Sequence, residues 1–374
     1  MNEGGPTERS HEPVLVRQVL ELLEPQPGMV CLDCTVGLGG HAKQIVPHLT
    51  PGGRYIGLDV DPKNLAIAGE QLVGGKAVEK VVGVGKGSVP ILQSQNSGQT
   101  PRVDGVHFDP VEPISGTGSV PESKVLGERD LPIPIDLINA NFTSAVSVLE
   151  RLGVDGVDLL LADLGFASNQ VSDPTRGFSF NVDGPLDMRL DPRLEQNAAD
   201  LVNGLDEQAL ADVIYRYGQE RLSRKIARKI VEHRQESPIK RTTDLAQLVR
   251  RVYGRAHRKS SAGRRHRIDP ATRTFMALRM AVNGELTALE QLLDDLPRLL
   301  RPEATVAIIS FHSLEDRPVK RAFAAWCGQK WAQKLTPKPL MAGRDEQRAN
   351  RRSRSAKLRA IRWIGQQART SLDC

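Results

Sequence analysis

The residues best suited to chemistry are two aspartates and a glycine turn near the start of the chain. Gly37, Gly39 and Gly40 follow Asp33, and Asp59 comes about 20 residues after the turn. Glycines allow the backbone to approach a ligand closely, and the free N–H groups of the helix that follows point towards it. An acid placed like Asp59 can accept hydrogen bonds from both hydroxyls of a ribose. The pattern predicts a nucleotide-cofactor site.

Two classes of cofactor fit this turn. A dinucleotide fingerprint, G-x-G-x-x-G, needs a third glycine, whereas here Gly37-x-Gly39-Gly40 continues with His41. Asp33 would repel a pyrophosphate but suits the ammonium and sulfonium groups of S-adenosylmethionine. The residues favour the methyl donor over a dinucleotide. A turn that only packs a helix on a strand stays open, because a single glycine motif is weak evidence.

Short apolar runs bounded by turn residues predict the strands that position this turn. They are Met29–Leu32, Tyr55–Leu58, Ile135–Ala140, Asp158–Ala162 and Thr305–Ile309. A last alternating segment, Lys357–Trp363, predicts an antiparallel edge strand. We expect an α/β protein with a doubly wound, seven-stranded, Rossmann-like sheet, of which these segments mark six strands. In such sheets ligands bind at the carboxyl ends of the strands.

Further polar residues should reach the same edge of the sheet. Asp163 follows the fourth strand, and the long polar loop Phe166–Asp191, which contains Arg176 and Arg189, comes next. A long loop of this composition is more often functional than structural. We expect the loop to take part in the site.

Composition limits the function classes. The 374 residues carry a formal net charge of +6 and no apolar run near the roughly 20 residues that span a bilayer. The polar start predicts no signal peptide, so we expect a cytoplasmic protein without membrane association. Cys31 and Cys34 form a C-x-x-C, but no second pair completes a metal site, and we expect no metal.

Positive charge is clustered in the C-terminal half. Arg250–Arg267 and Arg348–Arg359 are dense basic runs, and the helical segment Glu220–His233 has an apolar stripe opposite a basic face. Two such runs favour a nucleic-acid partner, although a solvated basic surface is the simpler alternative.

These patterns suggest the following layout. We expect a disordered tail at 1–10, an α/β domain at 11–195 and 268–374, and a small helical insert domain, facing the nucleic acid, at 196–267. The segment 74–134 lacks periodicity and predicts an irregular insertion, with a lid as the alternative.

Several stretches, in order, resemble one family, the bacterial 16S rRNA cytosine-N4-methyltransferases of the small ribosomal subunit. They are HEPVLVRQVLELL, TVGLGGHAKQIV with GLDVDP, ADLGFASNQVSDPTRGFSFNVDGPLDMR, DPATRTFMALRMAVNGEL with ISFHSLEDRPVKR, and NRRSRSAKLR. The resemblance implies a class I methyltransferase fold and methylation of a cytidine in 16S rRNA within the small subunit. Another methyltransferase substrate and a non-catalytic RNA-binding assembly factor are the alternatives.

The resemblance also implies particular site residues. The cofactor S-adenosylmethionine would contact Gly39, Gly40, His41, Asp59, Phe142, Asp163 and Gln170. Asp163 would lie near the transferring methyl group and act in catalysis, while Phe142 would wall the adenine. We expect Arg176, Arg189 and Arg273 near the target cytidine. The chain departs from the family at Ala167–Asn169, beside Gln170, and at Asp269, where the family has histidine.

The insertion gives the first testable prediction. Replacing 76–132 by a short Gly/Ser linker should leave folding and methyl transfer largely intact, because the segment lacks apolar periodicity. Circular dichroism and a methylation assay of the shortened protein would measure this. An insoluble or inactive product would instead identify the segment as structural or as a lid.

Overall fold

The computed structural model describes residues 13–73, 82–83, 133–257 and 269–365. Its strands are β1 Val30–Asp33, β2 Arg54–Asp59, β3 Val82–Gly83, β4 Ile135–Asn139, β5 Val157–Asp163, β6 Leu300–Ser310, β7 Ala332–Lys334 and β8 Lys357–Trp363. Its α-helices are α1 Val16–Leu23, α2 Gly40–Ile45, α3 Pro62–Val73, α4 Ala145–Arg151, α5 Ser168–Ser172, α6 Ala198–Gly204, α7 Glu207–Gly218, α8 Ser223–Arg234, α9 Thr242–His257, α10 Ala271–Asn283, α11 Glu285–Leu299, α12 Ser313–Gly328 and α13 Arg344–Ala349.

The strands form one mixed sheet in the order β3-β4-β2-β1-β5-β6-β8-β7. Strands β1 to β6 pair in parallel, whereas β8 is antiparallel to β6 and to β7. The doubly wound α/β class is confirmed, with seven strands in the described chain when the two-residue β3 is set aside. The prediction of an edge strand at β8 is wrong, because β7 pairs along its outer side. A three-residue strand such as β7 is too short to produce a readable alternation.

The register of the parallel strands aligns their carboxyl ends. Asp33 is paired with Gly57 of β2, and Asp59 is paired with Asn139 of β4. At the other side of β1, Asp163 ends β5. Buried apolar side chains cover both faces of the sheet, as expected where helices pack on each side. The ends of β1, β2 and β5 therefore place their three aspartates along one edge.

The observed helices differ from the predicted ones at Gly284. The apolar pattern of Ala271–Leu296 predicts a single helix, but the segment is broken into α10 and α11 at Gly284, whose φ is 58°. A lone glycine within a helical pattern does not by itself reveal a break. The break lets Glu285, the first residue of α11, pair with Arg279 on α10.

A third apolar core lies among the helices α6 to α10. It includes Ile214, Ile226 and Phe275, and it also takes in Leu186 and Met188 from the polar loop. The insert-domain boundaries at 196 and 267 stay a prediction.

Some predictions fall outside the described residues. These include the tail at 1–10, almost all of the insertion 74–134 and the basic stretch 258–268. Among the described helices, none is long and apolar enough to cross a membrane.

The break at Gly284 gives a stability prediction. Gly284→Ala should lower the free energy of unfolding by about 1–2 kcal/mol, because an L-residue is strained at this positive φ. Gly254→Ala, inside α9 and with open space around the added methyl group, should instead stabilise by up to about 1 kcal/mol. Urea unfolding of both variants measures the difference, and equal effects would contradict the assigned role of the break.

Candidate functional site

One pocket opens at the carboxyl ends of β1, β2, β4 and β5. Its lining includes most of the expected cofactor residues, namely Gly40, His41, Asp59, Phe142, Asp163 and Gln170. Gly39 stands directly before α2 with a φ of 84°. A Cβ at Gly39 would lie 3.0 Å from the Cα of Ala68, so the turn also needs a glycine for packing. The sequence-predicted residues are thus brought together around one cavity.

Asp59 is fixed by the backbone around it. Its Oδ2 accepts a hydrogen bond from the N–H of Gly37 at 2.9 Å, and its Oδ1 accepts one from the N–H of Asp61 at 2.8 Å. Burial raises the pKa of Asp59 to about 6, against the opposing effect of these hydrogen bonds. A carboxylate has about four acceptor positions, and the Nδ2 of Asn64 also lies 3.4 Å from both oxygens, so ligand hydroxyls would share this carboxylate with Asn64.

Asp33 lies beneath the turn rather than in the pocket. It is 1% exposed, and its carboxylate accepts hydrogen bonds from the Tyr55 hydroxyl at 2.8 Å and from the N–H of Thr35 at 2.9 Å. Burial raises the pKa of this carboxyl. Asp33 therefore holds the start of the glycine turn, and it does not line the cavity as its spacing had suggested.

Asp163 carries the least satisfied carboxylate at this edge. Its N–H donates to Thr35 Oγ1 at 2.6 Å, which fixes the backbone, but its buried Oδ1 has no hydrogen-bond partner among the described residues. Its Oδ2 lies 3.9 Å from His41 Nδ1. Burial raises the pKa of Asp163 to about 7, with Arg352 lowering it and Glu315 adding to the rise. An unpaired buried acceptor facing a pocket suits a ligand that donates hydrogen bonds.

His41 and Gln170 complete the cofactor side of the pocket. His41 is buried with its Nε2 2.9 Å from the carbonyl oxygen of Val14, and burial lowers its pKa. Gln170 is 3% exposed; its Oε1 accepts from the N–H of Ala167, and its Nε2 donates to Asp61 Oδ2 at 2.9 Å. Both side chains are held by the protein before any ligand binds.

The opposite wall contains residues that the sequence did not single out, among them Glu285 and Arg352. Arg279 does not line the cavity itself; it lies 4.6 Å from the ring centroid of Phe166 and pairs with both carboxylate oxygens of Glu285 at 2.7 Å. Arg352 donates to the carbonyl oxygen of Phe166 and lies 5.6 Å from the centroids of Phe166 and Phe311. Arg279, Phe311 and Arg352 lie in FMALR, ISFHS and NRRSR, parts of the stretches that resemble the family, and this resemblance was the available signal.

Glu285, His312 and Glu315 place ligand atoms within 4.8 Å of one another. The sequence predicts no metal, because no cluster of His, Cys and carboxylate residues along the chain shows ligand spacing. Glu285 already pairs with Arg279, and Glu315 accepts a hydrogen bond from the N–H of Phe311 at 2.8 Å. Burial would raise the pKa of Glu315, but the neighbouring His312 and Arg279 bring it below its usual value. The two carboxylates thus have partners within the protein.

The three arginines expected near the substrate lie in different surroundings. Arg176 donates to Asp61, and Arg189 pairs with both oxygens of Asp187 at 2.8 and 2.7 Å, so both guanidinium groups are engaged. Arg273 is exposed on α10. None of the three is among the residues that line the pocket.

Chemically, the pocket joins two different halves. One half offers a glycine turn, a fixed carboxylate at Asp59 and the ring of Phe142, which suit a nucleoside. The other half offers an unpaired acceptor at Asp163 beside cation–aromatic contacts at Phe166. The arrangement can hold a nucleoside cofactor with its reactive end towards a second, hydrogen-bond-donating substrate.

Known proteins resemble this chain over almost its full length. It is 39% identical to "Ribosomal RNA small subunit methyltransferase H" of Sorangium cellulosum over 96% of this chain and 93% of that protein. The protein of the same name from Geobacter sulfurreducens is also 39% identical, over 94% and 98%.

Among solved structures, TrmN from Thermus thermophilus is 12% identical with a TM-score of 0.34, over 94% of this chain and 48% of that chain. The model of the MraW methylase family matches residues 8–110 and 126–364. The matched residues include those that line the pocket, and the chain belongs to the MraW methylase family.

Proposed function

We propose that this enzyme transfers a methyl group from S-adenosylmethionine to the exocyclic N4 amine of a cytidine in 16S rRNA of the small ribosomal subunit. The observation that carries the proposal is the unpaired Oδ1 of Asp163, buried in the pocket between the glycine turn and the wall at Phe166. The names of the relatives support rRNA of the small subunit as substrate. The enzyme would meet such a substrate in the cytoplasm.

The residues present fit S-adenosylmethionine. Asp59 takes the ribose hydroxyls, Phe142 walls the adenine, and the turn at Gly39 and Gly40 lets the backbone approach the methionine part. His41 and Gln170 are held by Val14 and Asp61, so they shape the pocket without rearrangement. When bound, the sulfonium would supply an electrophilic methyl group, with its S–C bond breaking and S-adenosylhomocysteine leaving as the neutral thioether.

The chain's contribution to the reaction is positioning. The N4 amine of cytosine is a weak nucleophile because its lone pair is delocalised into the ring. Asp163 accepts a hydrogen bond from this amine, directs its lone pair towards the methyl group and takes up the proton that the amine loses. Holding the two groups in line contributes several kcal/mol or more. The catalytic role of Asp163 therefore combines orientation with proton acceptance.

The RNA would dock on the helical part of the protein. Exposed cations on and before α8, Arg221, Arg224 and Lys225, form a basic face suited to phosphates. Arg273 contributes on α10, while Arg176 and Arg189 shape the loop nearer the target base. The cytidine must leave its stack to enter the pocket, so a flipped or single-stranded target is required.

Nucleoside mass spectrometry tests the function. Purified enzyme, small subunits from a strain lacking it and methyl-deuterated S-adenosylmethionine should together give labelled N4-methylcytidine at one position. Label on another base, or on a carbon or ribose oxygen of cytidine, would assign a different reaction. Tight subunit binding without any transfer would identify a non-catalytic assembly factor.

Asp59 gives a prediction for cofactor binding. Asp59→Asn should weaken binding of S-adenosylhomocysteine about 10- to 150-fold, since a hydrogen bond to a charged acceptor contributes about 1.5–3 kcal/mol. Calorimetry measures this, with Asp158→Asn as the control, because Asp158 pairs with Arg301 at the amino end of β5. Unchanged affinity in Asp59→Asn would contradict the assignment of the ribose site.

Asp163 gives a prediction for pH dependence. Its carboxyl, with a pKa of about 7, must be ionised to accept from the amine, so kcat/KM should fall as pH drops below about 7. The inflection in kcat should lie lower, because the bound sulfonium favours the charged carboxylate. Asp163→Asn should be slow and lack this inflection; a wild-type profile that is flat from pH 5.5 to 8.5 would remove Asp163 as the acceptor.

The basic face gives a prediction for RNA binding. Changing Arg221, Arg224 and Lys225 to Gln should weaken binding to small subunits and reduce the log–log salt slope by about 0.7–0.9 for each phosphate that the protein no longer neutralises. Turnover of saturating subunits should survive.

The matched control changes Arg151, Arg298 and Arg301, which lie at the opposite, amino edge of the sheet. Filter binding across salt concentrations separates the two triple variants. An identical slope in both would place RNA docking elsewhere, with the run Arg348–Arg359 as the next surface to test.

A further inference from the structure

One buried carboxylate joins the cofactor side of the pocket to the polar loop Phe166–Asp191. Asp61 is 1% exposed and follows the cofactor-binding Asp59 by two residues. Its Oδ2 accepts hydrogen bonds from Gln170 Nε2 at 2.9 Å and from Arg176 Nη1 at 2.7 Å. Two donors from the loop thus converge on one oxygen atom next to the ribose site.

The other end of Arg176 fixes the far part of the same loop. Its Nη2 donates to the carbonyl oxygens of Arg189 and Leu190, both at 3.0 Å. The N–H of Leu190 donates in turn to Asn283 Oδ1 at 2.7 Å. Leu190 and Asn283 both line the pocket. Arg176 therefore ties a wall of the pocket to Asp61 without lining the cavity itself.

On its other side, Asp61 is tied to the cofactor residue. The N–H of Asp61 donates to Asp59 Oδ1 at 2.8 Å. A second link runs through Asn64, whose Nδ2 lies 3.4 Å from both Asp59 oxygens and whose Oδ1 accepts from Asn169 at 2.9 Å. Any ligand that fixes the carboxylate of Asp59 therefore also restrains two anchor points of the loop.

We propose that Asp61 is a positioning residue that couples the two substrates, so that cofactor binding at Asp59 and RNA binding along the loop Phe166–Asp191 favour each other. This inference rests on the proposed function, because it requires the loop to face RNA. A bound nucleoside fixes the carboxylate of Asp59, to which the N–H of Asp61 donates. The carboxylate of Asp61 in turn fixes Arg176. Arg176 then fixes the backbone at Leu190, the part of the pocket against which the target base is placed. Binding linkage is reciprocal, so RNA must strengthen cofactor binding by the same factor.

A coupling role for Asp61 accounts for the inward orientation of Arg176. An arginine that served only as a phosphate contact would gain nothing from a buried carboxylate partner, since exposed pairs contribute little. Here the side chain of Arg176 is 15% exposed and that of Asp61 is 1% exposed. Removing one member of such a buried pair leaves the other without its partner, so the loop should lose its anchorage even if the sheet stays folded.

The test measures the coupling factor directly. Binding of the full-length enzyme to small subunits from a strain lacking it is measured with and without saturating S-adenosylhomocysteine, and the reverse experiment measures cofactor affinity with and without subunits. We expect about tenfold tighter binding in both directions for the wild type, within the usual range of coupled sites. For Asp61→Asn and Arg176→Gln the factor should fall to about one, and the double variant should lose no more than either single variant.

Two further variants separate coupling from general damage. Asp136→Asn breaks a partly buried pair with Arg54, 2.8 Å long, at the amino end of β4, and it should keep the full coupling factor. Arg176→Lys retains the charge facing Asp61 and should retain more of the factor than Arg176→Gln. Thermal unfolding of every variant is recorded alongside.

The outcomes are distinguishable. A wild type that methylates small-subunit RNA but shows no coupling overturns the inference and leaves the proposed function intact. Undiminished coupling in Asp61→Asn, or equal loss in Asp136→Asn, also overturns it. A wild type that transfers no methyl group to this RNA overturns the proposed function itself.

Discussion

The site depends on one electrostatic constraint, the burial of three carboxylates at the carboxyl edge of the parallel sheet. Strand register forces Asp33, Asp59 and Asp163 into neighbouring positions, where burial raises the pKa of each. The hydroxyl of Tyr55 donates a hydrogen bond that stabilises the carboxylate of Asp33. The backbone N–H groups of Gly37 and Asp61 do the same for Asp59. For Asp163, one oxygen is left without a partner in the described part of the chain. A ligand that places a hydrogen-bond donor there would pair with an oxygen atom that folding has already removed from water. Binding therefore would not have to desolvate that oxygen atom again.

Much of this arrangement could be read from the sequence, for a physical reason. Central parallel strands are buried on both faces, so they produce continuous apolar runs, and the acids that end those runs must meet at one edge. The orientation of each acid could not be read. Asp33 has the spacing of a ligand-facing residue, yet the hydroxyl of Tyr55, on the adjacent strand, holds it beneath the turn. The direction of a side chain at a strand end depends on such neighbours rather than on spacing.

The opposite wall of the pocket could not be predicted for a different reason. Glu285, Glu315 and Arg352 come from three separate elements late in the chain, and no local periodicity relates them. Strand β8 pairs antiparallel with β6, which brings the segment before β8 back to the site. Arg352, a residue of the basic run Arg348–Arg359, therefore lines the pocket. Arg359 of the same run pairs with Asp316 at 2.7 Å. Part of the C-terminal positive charge thus serves the fold, whereas composition alone had assigned it to an external polyanion.

We propose that Asp163 faces the amine of the target base while Asp59 faces the ribose of the cofactor. A crystal structure of the enzyme with S-adenosylhomocysteine and cytidine would show both contacts. We expect Asp163 Oδ1 at about 2.7–3.2 Å from cytidine N4, with that nitrogen in line with the sulfur atom and both cofactor hydroxyls on Asp59. A cytidine whose N4 lies beyond hydrogen-bond reach of Asp163, or a cofactor whose methionine group occupies that oxygen, would contradict it.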